Sequence, residues 1–253
     1  SYTEKRLVSE IFPLSGKPAY LLLSQNEDVS VMLNSEDHIR IKSFAPGQDL
    51  MQAYNKANDL DDIFIGGLKI AFSDKYGFLT SSPADLGTAM RASVVLHLPA
   101  LAENNLINKL SQTVSKLGLS LHAMYEDGAG DIYVLTNRVT LGITEKSAIY
   151  NTNAVCEQIV NQERKARETL CESVDFQDKI YRALGVLKLA RRLSTKEFLS
   201  GISLVRLGVA MGYFDYSYSL LEDMIYNLFD ATLVDSSKSD LSKEMCESLR
   251  AQI

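Results

Sequence analysis

The sequence predicts an α+β protein whose last third is helical. Two observations carry this. Through the first two thirds, short alternating or continuous apolar runs are interleaved with stretches whose apolar residues recur every three or four positions. From about Cys171 onward the strand patterns fade and helical spacing remains. At 253 residues, 46% of them hydrophobic, the chain is long enough for one large domain or two small ones.

Taken in order, Ala19 to Leu23 and Val29 to Leu33 are apolar runs separated by Gln25-Asn26-Glu27-Asp28, which predicts a β-hairpin. Arg40 to Phe44 alternates polar and apolar side chains as a half-buried strand does, and Pro46-Gly47 ends it. Leu50, Tyr54, Ala57 and Leu60 fall at helical spacing. From Met90 to His97 alternation returns, with Met90, Ala92, Val94 and Leu96 on one face and Arg91, Ser93, Val95 and His97 on the other. Pro99 closes that strand. Leu106, Leu110, Val114 and Leu117 form a helical stripe terminated by Gly118. Ile132 to Leu135 is the next strand, after the turn Asp127-Gly128-Ala129-Gly130. Ala148, Thr152, Val155, Ile159 and Ala166 mark a long helix, and Phe176, Ile180, Leu184 and Leu187 another. Ser194-Thr195-Lys196-Glu197 fits a capping box, in which hydroxyl and carboxylate satisfy the free amides of a helix start. Leu220, Met224, Ile225 and Leu228 predict a final helix. A domain boundary is expected near Glu168, giving parts 1–168 and 169–253. Ser236 to Asp240 is polar and expected to be mobile.

The net charge of −6 argues against a general nucleic-acid binder while leaving room for a local basic pocket. No apolar run approaches bilayer length, so no membrane association is expected. Ser-Tyr-Thr-Glu-Lys-Arg is not the start of a signal peptide. Because the chain opens on Ser rather than Met, a fragment or trimmed chain is expected. Three widely spaced cysteines, Cys156, Cys171 and Cys246, suit reduced thiols and a cytoplasmic location. With only His38, His97 and His122 and no Cys-x-x-Cys pair, a zinc site is not expected.

The chemistry concentrates in two segments, Asn34-Ser35-Glu36-Asp37-His38-Ile39-Arg40-Ile41 and the run from Gly77-Phe78-Leu79-Thr80 through Ser82-Pro83 and Leu86-Gly87-Thr88 to Arg91-Ala92-Ser93. Arg40 and Arg91 offer planar, permanently charged donors that match phosphate oxygens. Gly87 and Thr88 would let backbone amides approach an anion, and Ser93 adds a hydroxyl on the face of Arg91. If the acceptor is a guanidinium, a carboxylate must orient it and take its proton, and Glu36 is placed for both tasks. Each motif alone has a plainer reading: a solvated ion pair, and a Gly-Thr turn before a strand. His38 reads as a structural residue, His97 as pairing with backbone, Ser82 as capping a turn, Arg164 to Arg167 as a solvated helix face. Tyr213 to Tyr218 reads as helix-loop packing.

Together the two segments resemble the central signatures of the guanidino phosphotransferases, most closely the bacterial protein arginine kinases of the McsB type. The similarity extends through Leu96-His97-Leu98-Pro99, Thr140-Leu141-Gly142, Glu163 to Glu168 and Val205-Arg206-Leu207-Gly208. It implies a curved antiparallel sheet flanked by helices, followed by an all-helical C-terminal domain. It also implies ATP with Mg2+, and arginine in client proteins as the phosphoacceptor, marking them for Clp-type proteolysis. A zinc-binding activator of the McsA type, a Clp ATPase and a homodimer through the helical domain are the implied partners. By matching positions, Glu36 corresponds to the catalytic carboxylate. Arg40 and Arg91 correspond to phosphate-binding arginines, and Arg91 with Ala92, Ser93, Val94 and Val95 to a nucleotide-binding strand.

The chain departs from that pattern at Ser35 for a first glutamate, Ser82 for a cysteine and His122 for a third phosphate-binding arginine. The loop Tyr125-Glu126-Asp127-Gly128 is shortened, and Asp127 stands nearest to a second guanidine-binding glutamate. An arginine-rich ATP segment is expected upstream of Ser1. In the tail, Ser239 to Glu244 lacks the arginines that bind phosphoarginine in the family. These departures keep a second reading in view, a catalytically weakened relative acting as a regulatory or adaptor-binding partner.

Overall fold

The structure, a computed structural model, describes residues 18–232 and 240–241. Strands β1 (Tyr20–Leu23), β2 (Val29–Leu33) and β3 (Ile39–Ser43) form an antiparallel meander. The predicted hairpin is there. Its turn is closed by the Ser24 hydroxyl, which accepts from the amides of Asp28 and Val29 and donates to the Asp28 carboxylate. Met32 is fully buried under Leu21, Leu23 and Phe44. In β3 every residue is half-buried rather than alternating, because α1 (Leu50–Gly67) leans along it and Ser43 Oγ donates to Ala53 O at 2.6 Å.

A short hairpin that the apolar pattern does not announce follows, β4 (Phe72–Ser73) and β5 (Gly77–Phe78), with Phe72 and Phe78 edge to face. The chain then passes through a 3-10 turn at Pro83–Asp85 into β6 (Ser93–His97). Next come α2 (Pro99–Glu103), α3 (Ile107–Lys116), β7 (Leu119–Ala123) and β8 (Ile132–Asn137). These three strands form a second antiparallel sheet in the order β6-β8-β7. Strand β7 was not anticipated: Leu119 and Leu121 prolong the apolar stripe of α3 past Gly118, which hides the change of period. Val94, Leu96, Leu119, Leu121, Tyr133 and Leu135 pack from one face of the sheet against Val114 of α3 and against Val155, Cys156 and Ile159 of α4 (Glu145–Cys171).

The expected single curved sheet is therefore two three-stranded sheets among the described residues, since no backbone ladder joins β3 to β6. α4 runs unbroken through Glu168 and ends at Cys171. Beyond it lie α5 (Val174–Leu189), β9 (Leu193–Ser194), α6 (Thr195–Ala210), α7 (Tyr218–Thr232) and β10 (Asp240–Leu241). The C-terminal part is helical, as expected, apart from the two-residue pairing of β9 with β10. The capping box at Ser194 and Glu197 forms in full. Phe198, Leu199, Ile202 and Val205 of α6 make a second core with Leu221, Met224 and Ile225 of α7, and Ala129 from the β7–β8 connection packs into it. Most of Ser236 to Asp240, the Ser239 to Glu244 segment beyond Leu241, and Cys246 lie outside the described residues.

Candidate active site

Glu36 sits on the five-residue connection between β2 and β3, opened by Asn34 at φ 58° and closed by the Asn34 amide donating to His38 O at 3.0 Å. Its carboxylate accepts from Arg40 Nη1 at 3.4 Å, with both side chains about one-third exposed. The connection is pinned to a distant loop. The Ser81 amide donates to Asp37 Oδ1 at 2.7 Å, and Ser81 Oγ donates to Glu36 O at 2.9 Å.

Four residues on from Ser81, Asp85 of the same loop grips Arg91. Arg91 Nε donates to Asp85 Oδ1 at 2.6 Å and Nη2 to Ala84 O at 3.0 Å. Nη1 donates to Asn137 O at 2.7 Å and Arg138 O at 3.3 Å. Asn137, buried at the end of β8, orders the turn before β6. Its Oδ1 accepts from the Ala92 amide at 2.7 Å, while Nδ2 donates to Met90 O and Val139 O. Gly87 and Thr88 do not present free amides, contrary to expectation. Gly87 N donates to Phe78 O and Thr88 N to Thr140 O. Gly87 is required instead by packing: at φ +104°, a Cβ would stand 2.3 Å from Thr140 O. Ser82 occupies the N-cap position of its 3-10 turn, yet its side chain makes no capping bond.

The second sheet leaves one face open. Ala92, Val94 and Leu96 point inward, whereas Arg91, Ser93 and Val95 are exposed, as the alternation predicted. The register sets Ser93 and Ser120 on either side of Thr136, and Val95 and His122 on either side of Val134. Ser93 Oγ donates to Thr136 Oγ1 at 2.7 Å. The open face thus carries a row of hydroxyls, Ser93, Thr136 and Ser120, beside the exposed Val95, with Arg91 at one end.

Asp127 lies elsewhere. It stands at φ 53° in the 3-10 segment Glu126–Asp131, where its Oδ2 accepts from Lys196 Nζ of α6 at 3.0 Å. Arg91 is fastened to the far end of β8, a strand roughly 17 Å long. The fold thus brings the Glu36–Arg40 and Arg91 loops together through the segment from Ser81 to Asp85, and leaves Asp127 at the opposite end of the sheet.

Two expectations about histidine and the basic run are corrected. His97 bonds the Ser203 hydroxyl of α6 at 2.9 Å rather than backbone. Loss of hydration, with Arg167 and Arg206 nearby, holds its pKa well below the ordinary 6.5. Arg167 is no solvated face: its Nε donates to the buried Glu163 at 2.6 Å and Nη2 to His97 O at 2.9 Å. Glu163 in turn accepts the Ala100 and Leu101 amides at the start of α2. Tyr213 and Phe214 pack on α5 through Tyr181.

Residues 2–166 match the family described as ATP:guanido phosphotransferase, C-terminal catalytic domain. The chain belongs to the ATP:guanido phosphotransferases. Residues 173–253 match the C-terminal domain of the protein-arginine kinase McsB, which places the chain in the McsB branch of that family. The protein-arginine kinase of Clostridium tetani is 37% identical over 259 residues, taking in 100% of this chain and 76% of its own length. That of Halothermothrix orenii is 37% identical over 256 residues, with 99% and 73% covered. Among solved structures, the duplicated taurocyamine kinase from Schistosoma mansoni with bound transition-state-analogue components superposes with a TM-score of 0.57 at 25% identity. The match covers 64% of this chain and 24% of that one. A phosphagen-kinase fold for the sheet-bearing part of this guanido phosphotransferase follows. No helix among the described residues is long and apolar enough to cross a membrane.

Sequence reasoning missed Asp37, Asp85 and Asn137, the residues that hold the two loops together. Asp37 and Asp85 lie inside the motifs, so their neighbourhood was marked. Asn137 gave no signal, because a buried asparagine ending a strand reads like any turn residue.

Proposed function

We propose that this chain catalyses ATP-dependent phosphoryl transfer to the guanidinium of arginine in client proteins, marking them for Clp-type proteolysis. The observation that carries the reading is the Ser81 bridge, which tethers the Glu36 loop to the segment that grips Arg91. Within it, Glu36 orients the acceptor guanidinium and takes its proton, while Arg40 and Arg91 neutralise phosphate charge. ATP supplies the transferable phosphoryl group, and Mg2+ would supply charge neutralisation for the phosphates. Ser93 and Val95 present the surface for the nucleotide, whereas Ala92 and Val94, expected to share in it, are buried on the opposite face of the strand and pack into the core. The Glu36–Arg40 pair suggests how the site rests: a guanidinium already lies on the catalytic carboxylate, and an acceptor of the same chemistry takes that place. Asp127 serves as the second grip only after its loop moves toward the acceptor.

The reading brings with it a cytoplasmic setting, a zinc-binding activator of the McsA type, a Clp ATPase and a homodimer through the helical part. A monomeric mass at high concentration would contradict the dimer.

One observation favours a second reading, a weakened relative with a regulatory role: all three nitrogens of Arg91 already have protein acceptors. Incubation with ATP, activator and a loosely folded arginine-containing protein separates the two. Acid-labile phosphoarginine that falls by about 100-fold or more in Glu36→Gln supports the kinase. Equal signal from both proteins removes Glu36 from the chemistry. No product, together with no ATP binding by calorimetry, upholds the second reading.

A further inference from the structure

One face of α6 holds the 126–131 segment at three points. Lys196 Nζ meets Asp127 at 3.0 Å. Leu199 lies against Gly130, where an added Cβ would stand 3.5 Å from Leu199 Cβ. Ser203 Oγ donates to Asp131 Oδ2 at 2.6 Å. Positions 196, 199 and 203 share one helical face. The segment needs holding, because Asp127, Gly128, Gly130 and Asp131 all have positive φ, and two of these are not glycine.

Ser203 is the buried polar point of the three, at 2% exposure. Its one proton goes to Asp131, so its bond with His97 requires a proton on Nε2. The set is not a nucleophilic triad: the serine donates to the acid rather than to the imidazole, and its hydroxyl is buried. Its effect is mechanical. His97 is the last residue of β6, and Asp131 immediately precedes β8. The backbone already pairs His97 with Ile132 and bonds the Leu98 amide to Asp131 O at 2.8 Å, and the Ser203 hydroxyl adds a side-chain tie from the helical part to both residues at this junction.

We infer that Ser203 is a positioning residue, through which the helical domain sets the geometry of the Asp127 segment against β6. The consequence for catalysis rests on the reading of Asp127 as a grip on the acceptor guanidinium. The helical domain is then part of the acceptor site's framework as well as its neighbour.

Ser203→Ala tests this in the full chain, by hydrogen exchange across 124–132 and by phosphotransfer kinetics. Exchange there is expected to speed up by about tenfold, the loss of one charge-assisted hydrogen bond, with α6's own amides unchanged. Because Asp127 must leave this position to reach the acceptor, the acceptor KM is expected to change several-fold while the ATP KM stays within about twofold, and an unchanged acceptor KM removes the catalytic consequence. Unchanged exchange across 124–132 overturns the inference. If Ser203→Ala loosens α6 as a whole, the exposed Lys196→Met variant decides, with a rise confined to 126–128 in support and no rise against. Should the wild type transfer no phosphoryl group, the functional reading has failed, and the exchange result still upholds or overturns the positioning role by itself.

Discussion

At the scale of single residues, two glycines separate strain from collision. Gly87 and Gly142 both have positive φ, yet only Gly87 has backbone pressed against it, while nothing lies within 4 Å of a Cβ on Gly142. Gly142→Ala should cost about 1 kcal/mol, the left-handed penalty alone. Gly87→Ala must also displace the Thr140–Leu141 backbone, and should cost more than about 3 kcal/mol or give no soluble protein, as urea titration would show. Asn137→Ala leaves the buried Ala92 amide without its acceptor and frees two carbonyls. A loss of about 2–4 kcal/mol is expected, with the Arg91 turn loosened. Cys156 and Cys171 are buried, and burial pushes the Cys156 thiol up to about 11. Both should resist alkylation at pH 8 in the folded chain and react once it is unfolded, as peptide mapping by mass spectrometry would show.

At the scale of elements, helix termini carry more information than helix lengths. The Ser194–Glu197 box was legible because its two partners are three residues apart and their bonds are local. Ser194→Ala should cost about 1 kcal/mol in a thermal melt. The start of α2 is stabilised by a partner far away in sequence, Glu163, whose carboxylate meets two free amides and Arg167. Glu163→Gln keeps the shape and removes the charge, leaving the mostly buried Arg167 without its counter-ion. A loss of about 2–4 kcal/mol is expected in urea. No pattern in sequence reveals that role, because a glutamate four residues from an arginine on a helix is usually a solvated pair.

At the scale of the whole molecule, the joint between sheet and helical part is acid-sensitive. His97 is held neutral in the folded state, with a pKa well below 6.5, whereas the unfolded chain takes up a proton near 6.5. Unfolding therefore binds a proton below that pH. The stabilisation is present in full above it and is lost as pH falls from 6.5 toward the folded value. Burial raises the Asp131 carboxyl, which has the opposite sign: stability is recovered as that group protonates on the way down toward 3.8. Denaturation from pH 7.5 to 5.5 should show stability falling by up to about 1.4 kcal/mol per pH unit on the acid side, and His97→Gln should flatten that slope.

The sequence by itself determined the helices with clear stripes, the first hairpin, the inward and outward faces of β6, and the family. Each of these rests on local periodicity or on residues close together in a motif, and local physics is written in local order. Only the tertiary structure decided that the expected single sheet is two three-stranded ones and that the Gly87 and Thr88 amides are already used. It alone fixed Arg91 to Asp85 and Asn137, set Asp127 against α6, and tied His97 to Ser203. Most of those outcomes depend on backbone groups and buried polar atoms finding partners far along the chain, 46 residues away for Arg91 and Asn137 and 106 for His97 and Ser203, and such bonds leave no period in the chain.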